Sequence, residues 1–74
     1  MKIKAVNLRK DYIYLTIESH FGKYLVSYQS RANLRPSVDI FATLAAAKSF
    51  CTKEIQNPKW GANFPKLQWE DVKE

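Results

Sequence analysis

Residues 12 to 18 read YIYLTIE, and how this stretch alternates decides the fold. Apolar side chains recur at every second position. An extended backbone therefore sends Ile13, Leu15 and Ile17 to one face and Tyr12, Tyr14, Thr16 and Glu18 to the other. A strand with one apolar face needs neighbours, and the flanking sequence supplies them. Ser19-His20-Phe21-Gly22 is a turn in which Gly22 takes a positive φ at no steric cost. Lys23 to Gln29, rich in tyrosine and valine, is the returning strand. Its register decides whether Leu25 or Val26 points inward, and Val26 is the expectation.

Upstream, Lys2-Ile3-Lys4-Ala5-Val6 alternates and then slips at Ala5-Val6, where a bulge would restore the phase to Leu8. Arg9-Lys10-Asp11 is a polar break suited to a hairpin. Downstream, residues 27 to 36 read SYQSRANLRP, and Arg31 to Pro36 has no period. Asn33 tolerates the left-handed conformation and Pro36 holds Arg35 extended, so this is a loop leading into a short strand, Val38-Asp39-Ile40-Phe41.

The period then changes from two to that of a helix. Thr43 is placed to accept a hydrogen bond from a first-turn amide. Leu44, Ala47, Cys51 and Ile55 form one apolar stripe with Phe50 on its flank, while Ser49, Thr52, Lys53 and Gln56 lie opposite. Asn57-Pro58 stops the run, which predicts a helix over 43–57. The tail, KWGANFPKLQWEDVKE, carries Trp60, Phe64 and Trp69, expected to fold back over the open end of the core, and Leu67-Gln68-Trp69-Glu70 could form a last short strand.

These elements predict an α+β fold in a single small domain over residues 1–74. An antiparallel sheet of three to four strands is packed on one face by one helix from the C-terminal half, and a short aromatic tail follows. Ile13, Leu15, Ile17, Val26, Leu44, Ala47, Cys51 and Ile55 are the expected core, a thin one for a chain of 74 residues. Apolar residues at 46% and charged residues at 26% fit a folded domain rather than a disordered segment. No run is long and apolar enough for a membrane span. The charged start MKIKAVNLRK has no apolar stretch of the secretory type, and Cys51 has no cysteine partner, so a cytoplasmic location is expected.

Catalytic chemistries find little to work with. His20 is the single histidine and sits in a turn with no nucleophile or carboxylate placed beside it by sequence. One histidine and one cysteine fall short of a zinc site, and Cys51 lies on the apolar helical stripe. With only Gly22 and Gly61 in the chain, glycine-rich phosphate loops are excluded. The expectation is a non-enzymatic protein without a cofactor or metal.

Charge points to binding. Residues 1–35 hold seven bases against two acids, a net of +5, whereas residues 36–74 hold five of each. A one-sided positive field attracts polyanions and also steers acidic proteins. Lys2, Lys4, Arg9, Lys10, Lys23, Arg31 and Arg35 are candidate phosphate or partner contacts, and Tyr12, Tyr14 and Tyr28 could stack on bases. Glu18 shares the face of Tyr12 and Tyr14, and Asp39 could share it too. Lysine at positions 2 and 4 also protects an edge strand from aggregation.

The stretch from Gly22 to Phe50 resembles the second half of two DNA-reading domains, the Apetala-type plant DNA-binding domain and the arm-binding domain of phage tyrosine-recombinase integrases. Gly22-Lys23-Tyr24 is similar to the glycine, lysine and aromatic that open their second strand, and Phe41, Thr43 and Ala47 to the start of their helix. Ala45 and Ala46 stand where those domains commonly carry acids. The resemblance implies a three-stranded sheet laid in the DNA major groove and backed by a helix. In size and βα order the chain is also similar to small phage or mobile-element proteins, including anti-CRISPR proteins, which block a host complex by docking on it. Two functions follow as expectations: nucleic-acid binding through a basic sheet face and loop, or inhibition or adaptation by binding an acidic protein surface, as a monomer or homodimer away from any membrane.

Overall fold

Backbone hydrogen bonding organises the described residues, 1–57 and 64–73 of a computed structural model, into five strands and one helical run. The strands are β1 (Lys2–Ala5), β2 (Tyr12–His20), β3 (Lys23–Ser30), β4 (Ser37–Phe41) and β5 (Trp69–Asp71). The helix α1 (Leu44–Phe50) continues without interruption into a π-wound turn, Cys51–Gln56. All strands join one sheet in the order β4-β3-β2-β1-β5, and every neighbouring pair is antiparallel. The α+β expectation holds, with a larger sheet: the tail supplies the fifth strand, pairing Trp69 with Ala5 and Asp71 with Ile3. Among the described residues no helix is long and apolar enough to cross a membrane.

The two-residue turn between β2 and β3 holds Phe21 at φ 49° and Gly22 at φ 76°. Both central residues at positive φ match the right-handed twist of the strands they join. The turn aligns Ile17 with Val26, so Val26 is buried as expected, while Leu25 sits half-buried on the helix-free face. Thr43 Oγ1 accepts from the Ala46 amide at 3.1 Å and starts the helix where the sequence places it.

Helix and sheet meet over Ile3, Leu15, Ile17, Val26, Ala47, Cys51, Ile55 and Leu67. Three expectations of burial need correction. Ile13 is not buried but 50% exposed, because the β2–β3 ladder shifts register between Tyr12 and Tyr14. Tyr12 opposes Ser30 and Tyr14 opposes Gln29, which leaves Ile13 as the extra residue of a bulge. The bulge therefore lies in β2 and not at Ala5-Val6, where β1 simply ends. It also separates the two tyrosines. Tyr12 packs on the core with its ring 6.3 Å from that of Tyr28, whereas Tyr14 stays on the helix-free face.

The second correction is Leu44, which is half-buried at the helix start. The third is Gln56, assigned by helical spacing to the polar side but fully buried. Winding by i→i+5 bonds over Cys51–Gln56 retards the helix phase and turns Gln56 inward beside Ile55. Trp69 is half-buried against the core, as expected of the tail, and Trp60 lies outside the described residues.

Cys51 sits in this core with no exposed surface, and burial pushes its thiol from the usual 9.0 up to about 12. Tyr28 rises from 10.0 to about 12, through burial and the hydrogen bond its hydroxyl donates to Asp39 at 2.7 Å. Both groups are neutral when protonated, so a raised folded-state value leaves stability intact below the unfolded values. As pH climbs from about 9 towards 12, the unfolded chain ionises first and stability falls. Denaturant melts are expected to be flat from pH 7 to 9 and to decline above it. A maleimide or disulfide reagent should modify Cys51 only as fast as the chain opens. Rapid labelling of the native protein would contradict a buried, protonated thiol.

Candidate nucleic-acid interface

Antiparallel pairing brings the β1–β2 connection (residues 6–11) and the β3–β4 loop (residues 31–36) to the same end of the sheet. Main-chain and side-chain bonds tie them together. The Arg31 amide donates to the Asp11 carbonyl oxygen at 2.8 Å, and Arg31 Nε donates to the Lys10 carbonyl oxygen at 2.7 Å. This second bond fixes the guanidinium at the junction, and no hydrogen bond among the described residues engages its terminal nitrogens. The loop is braced by Gln29, whose Nε2 donates to the Asn33 carbonyl oxygen at 3.3 Å.

Beside this junction lies a concavity of about 390 Å³. Its polar wall includes Lys4, Lys10, Arg31, Tyr14 and Thr16, and no carboxylate lines it. Tyr14, Thr16 and Lys4 belong to the helix-free face through the pairings Tyr14↔Gln29 and Lys4↔Thr16. Four basic residues, Lys4, Arg9, Lys10 and Arg31, thus line one hollow with Tyr12, Tyr14 and Thr16 among them. An adjoining hollow of about 530 Å³ shares Leu8, Arg9 and Lys10 with it and adds Asn7, Asp11, Phe64 and Pro65.

The other sequence candidates are distributed elsewhere. Arg9 touches the same concavity but is a strut rather than a free cation. Its guanidinium pairs with the Asp11 carboxylate, donates to the Ile55 carbonyl oxygen at 3.2 Å and lies 4.8 Å from the Phe64 ring centroid. Tyr12 reaches the concavity too, but its ring is spent on core packing. Lys2 faces Glu18 at 3.9 Å, an exposed pair of small energetic value that still offsets its charge. Lys23 pairs with His20 at the far end of β2, about 26 Å from Tyr12 at the strand rise of 3.3 Å per residue. Arg35 is exposed in the 31–36 loop. Asp39, which could have shared the open face, lies on the helix side with Tyr28.

Residues that sequence reasoning passed over are Thr16 in the hollow and Gln56 against the β1–β2 connection. Gln56 accepts from the Arg9 amide at 3.1 Å and donates to the carbonyl oxygens of Asn7 at 3.1 Å and Pro65 at 2.8 Å. It therefore holds the β1–β2 connection that carries Lys10. Among the described residues no group of three or more His, Cys, Asp or Glu side chains could hold a metal ion. Compared with known protein families, curated proteins and solved structures, the chain matches none of them.

Proposed function

We propose that this protein is a non-enzymatic nucleic-acid-binding module that takes the phosphate backbone in the hollow between the β1–β2 connection and the β3–β4 loop. The observation that carries this reading is that Lys4, Lys10 and Arg31 line one concavity with no carboxylate in its lining, Glu70 lying across from Lys4 on β5. Arg31 is already held by its bond to Lys10, so less side-chain freedom is lost on contact. Tyr14 supplies a ring on which a base or sugar can lie. The geometry favours this sheet end over the whole sheet face. The rest of the open face carries Glu18 across from Lys2, and Leu25, Val38 and Ile40 on its other half.

Phosphate contacts predict a salt law. Log affinity should fall with log salt by about 0.9 per phosphate neutralised on duplex DNA and about 0.7 on a single strand. Lys10→Gln with Arg31→Gln removes two contacts and should flatten the slope by roughly 1.4 to 1.8. Lys23→Gln, at the other end of the sheet, should leave the slope alone. Fluorescence anisotropy with labelled single-stranded and duplex oligonucleotides between 50 and 300 mM salt measures all three. No binding at the lowest salt, together with a protein partner retained from nuclease-treated lysate, would reject the proposal.

A further inference from the structure

β4 closes one side of the sheet, and among the described residues no strand pairs its outer side. Edge strands are commonly blunted by lysine, proline, an inward charge or a bulge, because their free amides and carbonyls template pairing with another chain. Between Ser37 and Phe41 the only such device is the inward Asp39, neutralised in part by its bond from Tyr28, with Pro36 just before the strand. Pairing with β3 runs in step from Tyr28↔Ser37 to Tyr24↔Phe41. Strand parity sends Val38 and Ile40 to the helix-free face, where they are 56% and 64% exposed. Ile40 lies opposite Leu25, so an apolar strip follows the open edge.

Charge brackets this strip. Lys23 stands on the same face of β3, two residues before Leu25, at the Phe41 end of β4. Arg35 stands two residues before Ser37, at the other end, and both are exposed. The one carboxylate on β4, Asp39, points to the helix side and accepts from the Tyr28 hydroxyl. The edge therefore offers a short run of main chain, an apolar middle and two positive ends. Neither Lys23 nor Arg35 lines the concavity described above.

We propose that β4 is a docking edge for an extended acidic peptide of a partner protein, which adds to the sheet as a sixth strand. Main-chain bonds to β4 would carry affinity. Alternate apolar side chains of the peptide would cover Val38 and Ile40, and its acidic residues would meet Lys23 and Arg35. A second copy of this chain fits less well. Antiparallel β4–β4 pairing brings Arg35 of one copy to the Lys23 end of the other, and parallel pairing sets each cation beside its own counterpart. Either way cation meets cation between two chains of net charge +5.

The test pans a displayed library of random twelve-residue peptides against the full chain, then measures a synthetic copy of the most enriched peptide. Enrichment of alternating Val, Ile or Thr flanked by Asp or Glu is expected, with slowed amide exchange at β4 in the bound state. Ile40→Lys should weaken binding at least tenfold despite its added positive charge, with circular dichroism and melting temperature little changed. Lys23→Glu with Arg35→Glu should weaken it further, whereas Arg31→Gln should not. Absent or non-acidic enrichment, or acidic peptides that bind Ile40→Lys as tightly as the native chain, would overturn the proposal. So would acidic peptides sensitive to Arg31→Gln instead, or a dimer in sedimentation that Ile40→Lys dissociates.

Discussion

Replacing Gln56 with alanine is expected to cost about 3 kcal/mol of folding free energy, at roughly 1 kcal/mol for each of three hydrogen bonds lost. The side chain is fully buried, and its removal strands the Arg9 amide and the carbonyl oxygens of Asn7 and Pro65. Groups left unsatisfied add a desolvation cost, so the effect should match that of truncating a buried leucine. For a domain of this size, with total stability of roughly 4 to 11 kcal/mol, the loss should lower Tm by about 15 °C or more. Gln56→Glu sharpens the test. It keeps the shape and the acceptor for Arg9 but sets a negative oxygen against two carbonyls, so at pH 7 it should do no better than alanine. Urea melts followed by amide exchange at Arg9 give both readouts. A cost under about 1 kcal/mol would mean that the three groups find other partners or water. Because Gln56 holds the connection that carries Lys10, the proposed nucleic-acid affinity should fall with stability in these variants.

The second large effect concerns the bulge in β2. Leu15, with 1% of its surface exposed, packs among Ile17, Val26, Cys51 and Ile55 in the core. Leu15→Ala should cost about 3 kcal/mol, within the 2 to 5 kcal/mol usual for a buried leucine truncated to alanine. Ile13→Ala, two residues earlier in the same alternating stretch, should cost no more than about 0.5 kcal/mol, as at other exposed positions. Deleting Ile13 goes further. Tyr12 would still oppose Ser30 and Tyr14 would still oppose Gln29, now in an unbroken ladder, so the deletion should fold cooperatively with a loss of about 1 kcal/mol. Were the strand regular, Ile13→Ala would cost as much as Leu15→Ala, and the deletion would turn every upstream side chain to the wrong face. Equal costs in chemical denaturation would remove the bulge and return Tyr12 to the open face.

That bulge also shapes the candidate site. Regular alternation would have offered Tyr12 and Tyr14 together as a two-ring platform on the open face. With Ile13 bulged, Tyr12 stacks towards Tyr28 in the core and Tyr14 alone faces the hollow with Thr16 and Lys4. The basic residues divide similarly. Arg9 is consumed by Asp11, Ile55 and Phe64, and Lys2 is offset by Glu18, while Lys10 and Arg31 meet across two loops. The charge asymmetry visible in residues 1–35 announced a positive half, but not which cations would converge.

Local rules are enough for much of this chain. The alternation of Leu15 and Ile17, the Phe21-Gly22 turn, the Thr43 cap and the Leu44-to-Ile55 stripe each follow from backbone sterics and side-chain period, which act within a few residues. They establish strands, hairpin, helix and the α+β class but leave Leu25 or Val26 open as the inward residue; pairing Ser19 and His20 into β2 and turning at Phe21-Gly22 selects Val26. Tertiary structure decided the rest, because those features depend on partners far along the chain. The bulge at Ile13 is a mismatch of count between β2 and β3, invisible in either strand alone. The π-wound turn brings Gln56 to bonds with Asn7, Arg9 and Pro65, up to 49 residues away, and those bonds repay the burial of a polar side chain that helical period assigns to solvent. The fifth strand exists because β1 left an edge that Trp69–Asp71 could pair, with Trp69 turned to the core beside Ala5. The hollow of Lys4, Lys10 and Arg31 is likewise a product of topology: antiparallel order brings two loops to one end, and the bond from Arg31 to the Lys10 carbonyl joins them.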